Sequence, residues 1–370
     1  METQIVDTTE SLAALCESLQ GQTRIGLDTE FHAERRYKPE LMLLQLALED
    51  GRSWIVDPLK VSLEPLGPIL DSATWVCHGS IQDIALLHRA TGCRPNSLVD
   101  TQILAAMCHM RFPIGLASLT DKMLGHTLSK CPALSDWSRR PLTETQRRYA
   151  AMDAKVVLEL RTRLLERLPG PDYVPWVEEA GQDLVDRALA ENDPDRSWKG
   201  LEIASRLDEP TRRVLHHLHV WRDGQARAKD QPPHYVISDG MVLQIARNRP
   251  RDLEEMGANR RLSSGLVRRH GTDIMRCIAE GLEDRSPAPK VATEPQRRNA
   301  RMLMVWAEVM GPELGIAAGL LLPWELALRV VQRPRQFWNG WRQEATGDAL
   351  NAFMSGQIRL QMGRKGPRLV

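Results

Sequence analysis

The segment Leu41-Met42-Leu43-Leu44-Gln45-Leu46-Ala47-Leu48 is apolar at every position but one. It is bounded by Pro39-Glu40 on one side and Glu49-Asp50-Gly51 on the other. A short apolar run between turn signals reads as a strand covered on both faces rather than at a sheet edge. Such a strand needs a layer above it and a layer below, which confines the chain to sheet-plus-helix architectures. Further strands are expected over Arg24 to Phe31, Ser53 to Val56, Thr74 to Cys77 and Ser97 to Val99, where apolar and β-branched residues lie between turn residues. The strands before residue 57 are too closely connected for crossover helices and should be antiparallel. Later ones should join through helices over Leu63 to Leu70, Ile81 to Ala90 and Thr101 to Cys108. Two more helices are expected over Leu116 to Leu124 and Glu144 to Leu168, the second opened by the capping-box pair Thr143 and Gln146.

Four acids stand out against this frame. Asp28 and Glu30 are two apart on a strand and so share a face, and Asp153 stands one helical turn beyond Tyr149. Asp83 follows His78 near a helix start. Gathered carboxylates disfavour one another's ionised forms unless a cation cancels their charge. An all-oxygen donor set suits Mg²⁺ or Mn²⁺. Two such ions, roughly 3.5–4 Å apart, stabilise the attacking and leaving oxygens of a phosphodiester displacement.

The ordered pattern Asp-x-Glu, His-x-x-x-x-Asp and Tyr-x-x-x-Asp, carried by Asp28/Glu30, His78/Asp83 and Tyr149/Asp153, resembles the tyrosine class of the DEDD 3′-to-5′ exonucleases. Within that class the chain resembles the ribonuclease D family, through Leu98-Val99-Asp100-Thr101-Gln102-Ile103-Leu104-Ala105-Ala106 and Asp136-Trp137-Ser138-Arg139-Arg140-Pro141-Leu142-Thr143. The resemblance implies an RNase H-like mixed α/β sheet with the acids at one edge of its face. It also implies two divalent ions, held by Asp28, Glu30, Asp83 and Asp153. Tyr149 would orient or help deprotonate the attacking water. By the same analogy His78, Phe31 and Gln45 would contact the nucleic acid. The implied activity is metal-dependent trimming of RNA 3′ ends, tRNA precursors above all, with release of nucleoside 5′-monophosphates. A DNA-directed exonuclease and an inactive nucleic-acid-binding scaffold are the alternatives, the second disfavoured by the intact set of acids and tyrosine. Asp100 is more simply a cap for the helix that follows it.

A chain of 370 residues is too long for one ordinary core. After Leu168, Pro169-Gly170-Pro171 stops the long helix, and an acidic helix near Trp176 to Ala190 bridges onward. Leu215 to Arg222, Pro232 to Ile237 and Leu243 to Pro250 resemble the HRDC domain, a small helical bundle. Beyond a linker rich in Pro and small residues, Trp306 and Val330 to Pro334 echo Trp221 and Ala246 to Pro250, as in a diverged duplicate. The second copy has Leu314 to Ala317 in place of the Pro-Pro-His-Tyr turn. The expected organisation is an exonuclease domain over 1–168, an acidic connector over 169–205, an HRDC domain over 206–284, a linker over 285–296 and a second HRDC-like bundle over 297–370.

Charge is partitioned along the chain. Residues 1–168 carry 19 Lys and Arg against 21 Asp and Glu, residues 205–281 carry 14 against 10, and residues 297–370 carry 11 against 5. Basic accessory modules beside a slightly acidic catalytic region suit backbone binding by charge and cutting by metal. Cys16, Cys77, Cys93, Cys108, Cys131 and Cys277 form no Cys-x-x-Cys pair, so reduced thiols are expected. His216, His217 and His219 lack a partner at metal-ligand spacing. Trp324, Phe337, Trp338 and Trp341 lie among Arg329, Arg333, Arg335 and Arg342; helical spacing favours core over base stacking. With no long apolar run and no basic, apolar leader, a cytoplasmic monomer acting on RNA and not on membranes is expected.

Overall fold

The structure is a computed structural model and describes residues 3–128, 135–190, 202–364 and 366–370. Cys131 and residues 191–201 of the expected connector lie outside these, as do the side chains of Arg335 and Phe337. The chain forms two compact units, one of Met1–Phe31, Leu41–Ala190 and Arg298–Val370, the other of His32–Glu40 and Glu191–Arg297.

The first unit is built on a six-stranded mixed sheet. Its strands are β1 (Gln4–Val6), β2 (Arg24–His32), β3 (Glu40–Ala47), β4 (Ser53–Val56), β5 (Thr74–Cys77) and β6 (Ser97–Asp100), in spatial order β1-β4-β3-β2-β5-β6. β3 and β4 are antiparallel with Gln45 opposite Ile55, as their short connection requires. β5 and β6, reached through helices, run parallel to β2 and to each other.

β3 is covered on both faces. Leu44 and Leu46 join Ile25, Leu27 and Trp75 in one core, while Leu43 and Ala47 meet residues of the helix Glu144–Leu165 on the other side. That helix starts at Thr143, whose hydroxyl accepts from the Gln146 backbone while the Gln146 side chain accepts from the Thr143 backbone. The same reciprocal cap at Thr8 opens an unforeseen helix, Thr9–Leu19, with Ser11 where Glu or Gln is usual.

Residues 298–370, expected as a separate bundle, share a core with the sheet domain. Trp306, Leu321, Val330 and Trp341 pack in one apolar cluster with Leu104, Leu160 and Val177. Polar ties accompany it: the Ala317 amide donates to the Ala106 carbonyl at 2.7 Å and the Trp341 amide to Glu179 at 3.0 Å. Trp338 and Trp341 are buried there, with the Arg342 guanidinium over the Trp341 ring, so they are core and not a stacking platform. The unit ends in an unforeseen ribbon, β7 (Leu360–Gly363) with β8 (Gly366–Leu369).

The second unit centres on the helices Glu209–Ala228 and Ser264–Glu283, packed through Val214, Leu218, Ile274 and Ile278. Gly281 permits their close approach, since a Cβ there would lie 2.7 Å from the Val214 Cα. The histidines serve packing and polarity: His219 is buried beside the Arg222 guanidinium at 3.1 Å, and His217 faces Asp284 at 3.3 Å. Residues His32–Glu40 belong to this unit, where the Tyr37 hydroxyl donates to Asp223 at 2.6 Å.

Candidate active site

Alternation along β2 puts Gly26, Asp28 and Glu30 on the face covered by the helix Glu144–Leu165. A Cβ at Gly26 would lie 2.2 Å from the Ala154 carbonyl oxygen, so glycine is what lets helix and strand come together here. This approach brings Asp153 to the strand. Oxygens of Asp28, Glu30 and Asp153 lie within 4.8 Å of one another, the first two residues half-buried and Asp153 buried.

Asp83 comes from the other side, on the helix Ile81–Thr91 behind β5. It is outside the three-acid cluster, and its carboxylate accepts from the Thr29 hydroxyl, yet its charge reaches Asp28. The turn that delivers it is held by Asp100, which accepts from the Gly79 and Ser80 amides at 3.0 and 2.8 Å and caps the next helix through the Gln102 amide at 2.8 Å. Asp100 is thus the cap expected of it, and an anchor for the Asp83 helix as well.

The electrostatics are those of a cation site. Burial, then the charges of Asp83, Asp153 and Glu30, push the Asp28 carboxyl well above the usual carboxylate range. Burial, then Asp153 and Asp83, push Glu30 up to about 8. Burial raises Asp83 and Asp153 each to about 6, opposed at Asp83 by the Thr29 hydroxyl and at Asp153 by the nearby Tyr149 hydroxyl. Carboxylates so crowded hold protons until a divalent ion replaces them, and hard oxygen donors fit Mg²⁺ or Mn²⁺. Burial and then the neighbouring acids also raise the Tyr149 phenol, which therefore stays a neutral hydroxyl.

The sequence-predicted substrate contacts fare differently. Both His78 ring nitrogens are engaged within the protein, with the Thr101 hydroxyl and the Ile114 carbonyl, each at 2.9 Å. Gln45 is completely buried, and among the described residues its side-chain amide has no hydrogen-bond partner. Phe31 is half-buried at the end of β2, directly after Glu30. Thr29 was not foreseen, because an alternating strand turns it away from its acidic neighbours and only the fold shows that Asp83 waits there.

Known proteins place this geometry. Residues 3–169 match the family model for 3′-5′ exonucleases and residues 202–278 the model for the HRDC domain. The chain is 30% identical to ribonuclease D of Escherichia coli K12, over 96% of this chain and 99% of that one. It is also 30% identical to ribonuclease D of Gluconacetobacter diazotrophicus, over 99% and 95%. The crystal structure of E. coli RNase D superposes with a TM-score of 0.84 at 27% identity, covering 96% of this chain and 99% of that chain. The catalytic core of RRP6 from Trypanosoma brucei follows at 0.60 and 26%, covering 76% and 80%. The chain therefore belongs to the ribonuclease D family and is a 3′-to-5′ exoribonuclease.

Proposed function

We propose that this exoribonuclease trims the 3′ ends of structured RNAs, tRNA precursors above all, by two-metal-ion hydrolysis that releases nucleoside 5′-monophosphates. Support for the substrate class comes from the E. coli relative, described as an exoribonuclease involved in structured RNA processing. The observation that carries the chemistry is the cluster of Asp28, Glu30 and Asp153, with Tyr149 near enough to its buried member to feel its charge. Asp28, Glu30 and Asp153 would hold one divalent ion, and Asp28 with Asp83 the second. Bound Mg²⁺ or Mn²⁺ supplies the Lewis acidity that acidifies water and stabilises the oxygens of an in-line displacement.

The chain's own groups do the rest. A water oxygen attacks phosphorus, the bond to the ribose 3′ oxygen breaks, and that oxygen leaves with a proton. The Tyr149 hydroxyl, close enough to feel the Asp153 charge, would accept from the attacking water through its oxygen lone pairs and orient it. Tyr149 would orient that water or help deprotonate it, with the bound ion supplying most of the acidification.

The test is a 3′-labelled RNA and the matching DNA, each incubated with Mg²⁺, Mn²⁺ or chelator. Monophosphate release from RNA, dependent on metal, is expected. Asp28→Asn should lower the rate at least about 10²-fold while RNA binding persists. Undiminished turnover by that variant would refute the assignment.

A further inference from the structure

We propose that Arg140 is a positioning residue for the reaction: it locks Trp137 against the Tyr149 ring and so fixes the tyrosine hydroxyl beside Asp153. The inference rests on the role for Tyr149 given above.

Residues 135–143, which lead into the Tyr149 helix, form no regular element. Arg140 ties them down with every donor it has. Its Nε and one Nη2 hydrogen reach the two Asp57 oxygens at 2.5 and 2.8 Å, and the other Nη2 hydrogen reaches the Met42 carbonyl at 2.9 Å. Its Nη1 donates to the Trp137 carbonyl at 2.6 Å and the Arg139 carbonyl at 3.0 Å. A guanidinium has five N–H donors in a fixed fork, so one side chain here joins Met42 of β3 and Asp57, just past β4, to two loop residues. The Asp57 side chain is only 6% exposed and that of Arg140 19%, which makes this a largely desolvated pair. Such pairs are seldom the most stabilising solution for their volume, but they fix geometry.

The geometry fixed is that of Trp137. Its carbonyl is held by Arg140, and the preceding Asp136 carbonyl accepts from the Gln146 side chain at 3.1 Å. The indole is buried among Met42, Leu43, Ile55 and Ala150 and meets the Tyr149 ring with centroids 6.1 Å apart. The other end of Tyr149, its hydroxyl, lies close enough to Asp153 to feel its charge. The line Asp57–Arg140–Trp137–Tyr149–Asp153 thus runs from the end of β4 to the acids.

Arg140→Lys keeps the charge but offers three donors from one point, which cannot serve this fork. A double-mutant cycle with Tyr149→Phe separates positioning from general stability. At saturating RNA and Mg²⁺, Arg140→Lys should lower kcat by roughly 10-fold, since misplacement of about an ångström costs up to 10²-fold. KM should change by less than about twofold, as expected of an interaction made only in the transition state. In the Tyr149→Phe background the same substitution should change kcat by less than about twofold, because the hydroxyl it positions is gone. Trp137→Phe, which leaves the Arg140–Asp57 pair in place, should show the same dependence on background and serves if Arg140→Lys does not fold. An equal fold-loss in both backgrounds overturns the proposal and leaves the role of Tyr149 standing. Full kcat for Tyr149→Phe alone overturns both.

Discussion

Glu30 shows what the site demands of single residues. Its ordinary value of 4.5 is raised to about 8 by burial and by Asp153 and Asp83, so between those pH values the folded chain holds a proton that the unfolded chain has lost. Stability falls with pH wherever the folded state binds more protons, so metal-free protein should lose stability from about pH 4.5 to about pH 8 and level off above. Glu30→Gln removes that charge. Its melts in chelator should match wild type near pH 5 and exceed it above pH 8, by about 1–3 kcal/mol, although the variant is inactive. A gap that is constant across this range would contradict the electrostatic account. The acids stood out in the sequence through their ordered pattern and the family resemblance it carries, and the structure draws Asp28, Glu30 and Asp153 together. Their environment was not legible there, because the Thr29 hydroxyl on Asp83 and the protein partners of both His78 nitrogens depend on residues brought in from other elements.

At the scale of elements, the contact of β2 with the Tyr149 helix decides whether two acids on a strand and one on a helix become a site. Gly26 is where they touch, with the Ala154 carbonyl in the place of a side chain. Gly26→Ala should push the helix away, lower kcat by on the order of 10²-fold and cost about 1–3 kcal/mol of stability. Wild-type rates with unchanged metal affinity would mean that this approach does not set the Asp153 position. The strands from β2 to β6 were readable because apolar runs between turns leave few alternatives. β1 was not: it has three residues, and Ile5 is exposed at the sheet edge, so its pairing with β4 carries no pattern of its own. The helix after it escaped because Ser11 completes a capping box that is usually signed by Glu or Gln.

For the whole molecule, sequence repetition suggested a second, separate helical bundle over 297–370, and the shared core of residues 298–370 with the sheet domain shows why repetition is a poor guide to independence. Periodicity reveals which residues are buried but not against what. A chain ending at residue 296 would expose Leu104, Leu160 and Val177, which now pack with Trp306, Leu321 and Trp341. It should therefore aggregate or melt well below the full chain, whereas a separable module would leave the melt of the sheet domain unchanged. Truncation is thus the wrong way to ask what the HRDC unit does for RNA. Its Arg260, Arg261, Arg268 and Arg269 are exposed and close in sequence, at the entrance to and along the helix Ser264–Glu283. Each phosphate contact on a single strand contributes about −0.7 to the slope of log affinity against log salt. If these guanidinium groups hold backbone, replacing all four by Ala should flatten that slope by up to about 3 and raise KM at moderate salt. The kcat at saturating RNA should stay within about twofold, because none of the four lies in the catalytic unit. An unchanged slope with intact folding would show that the HRDC unit does not grip RNA through this face.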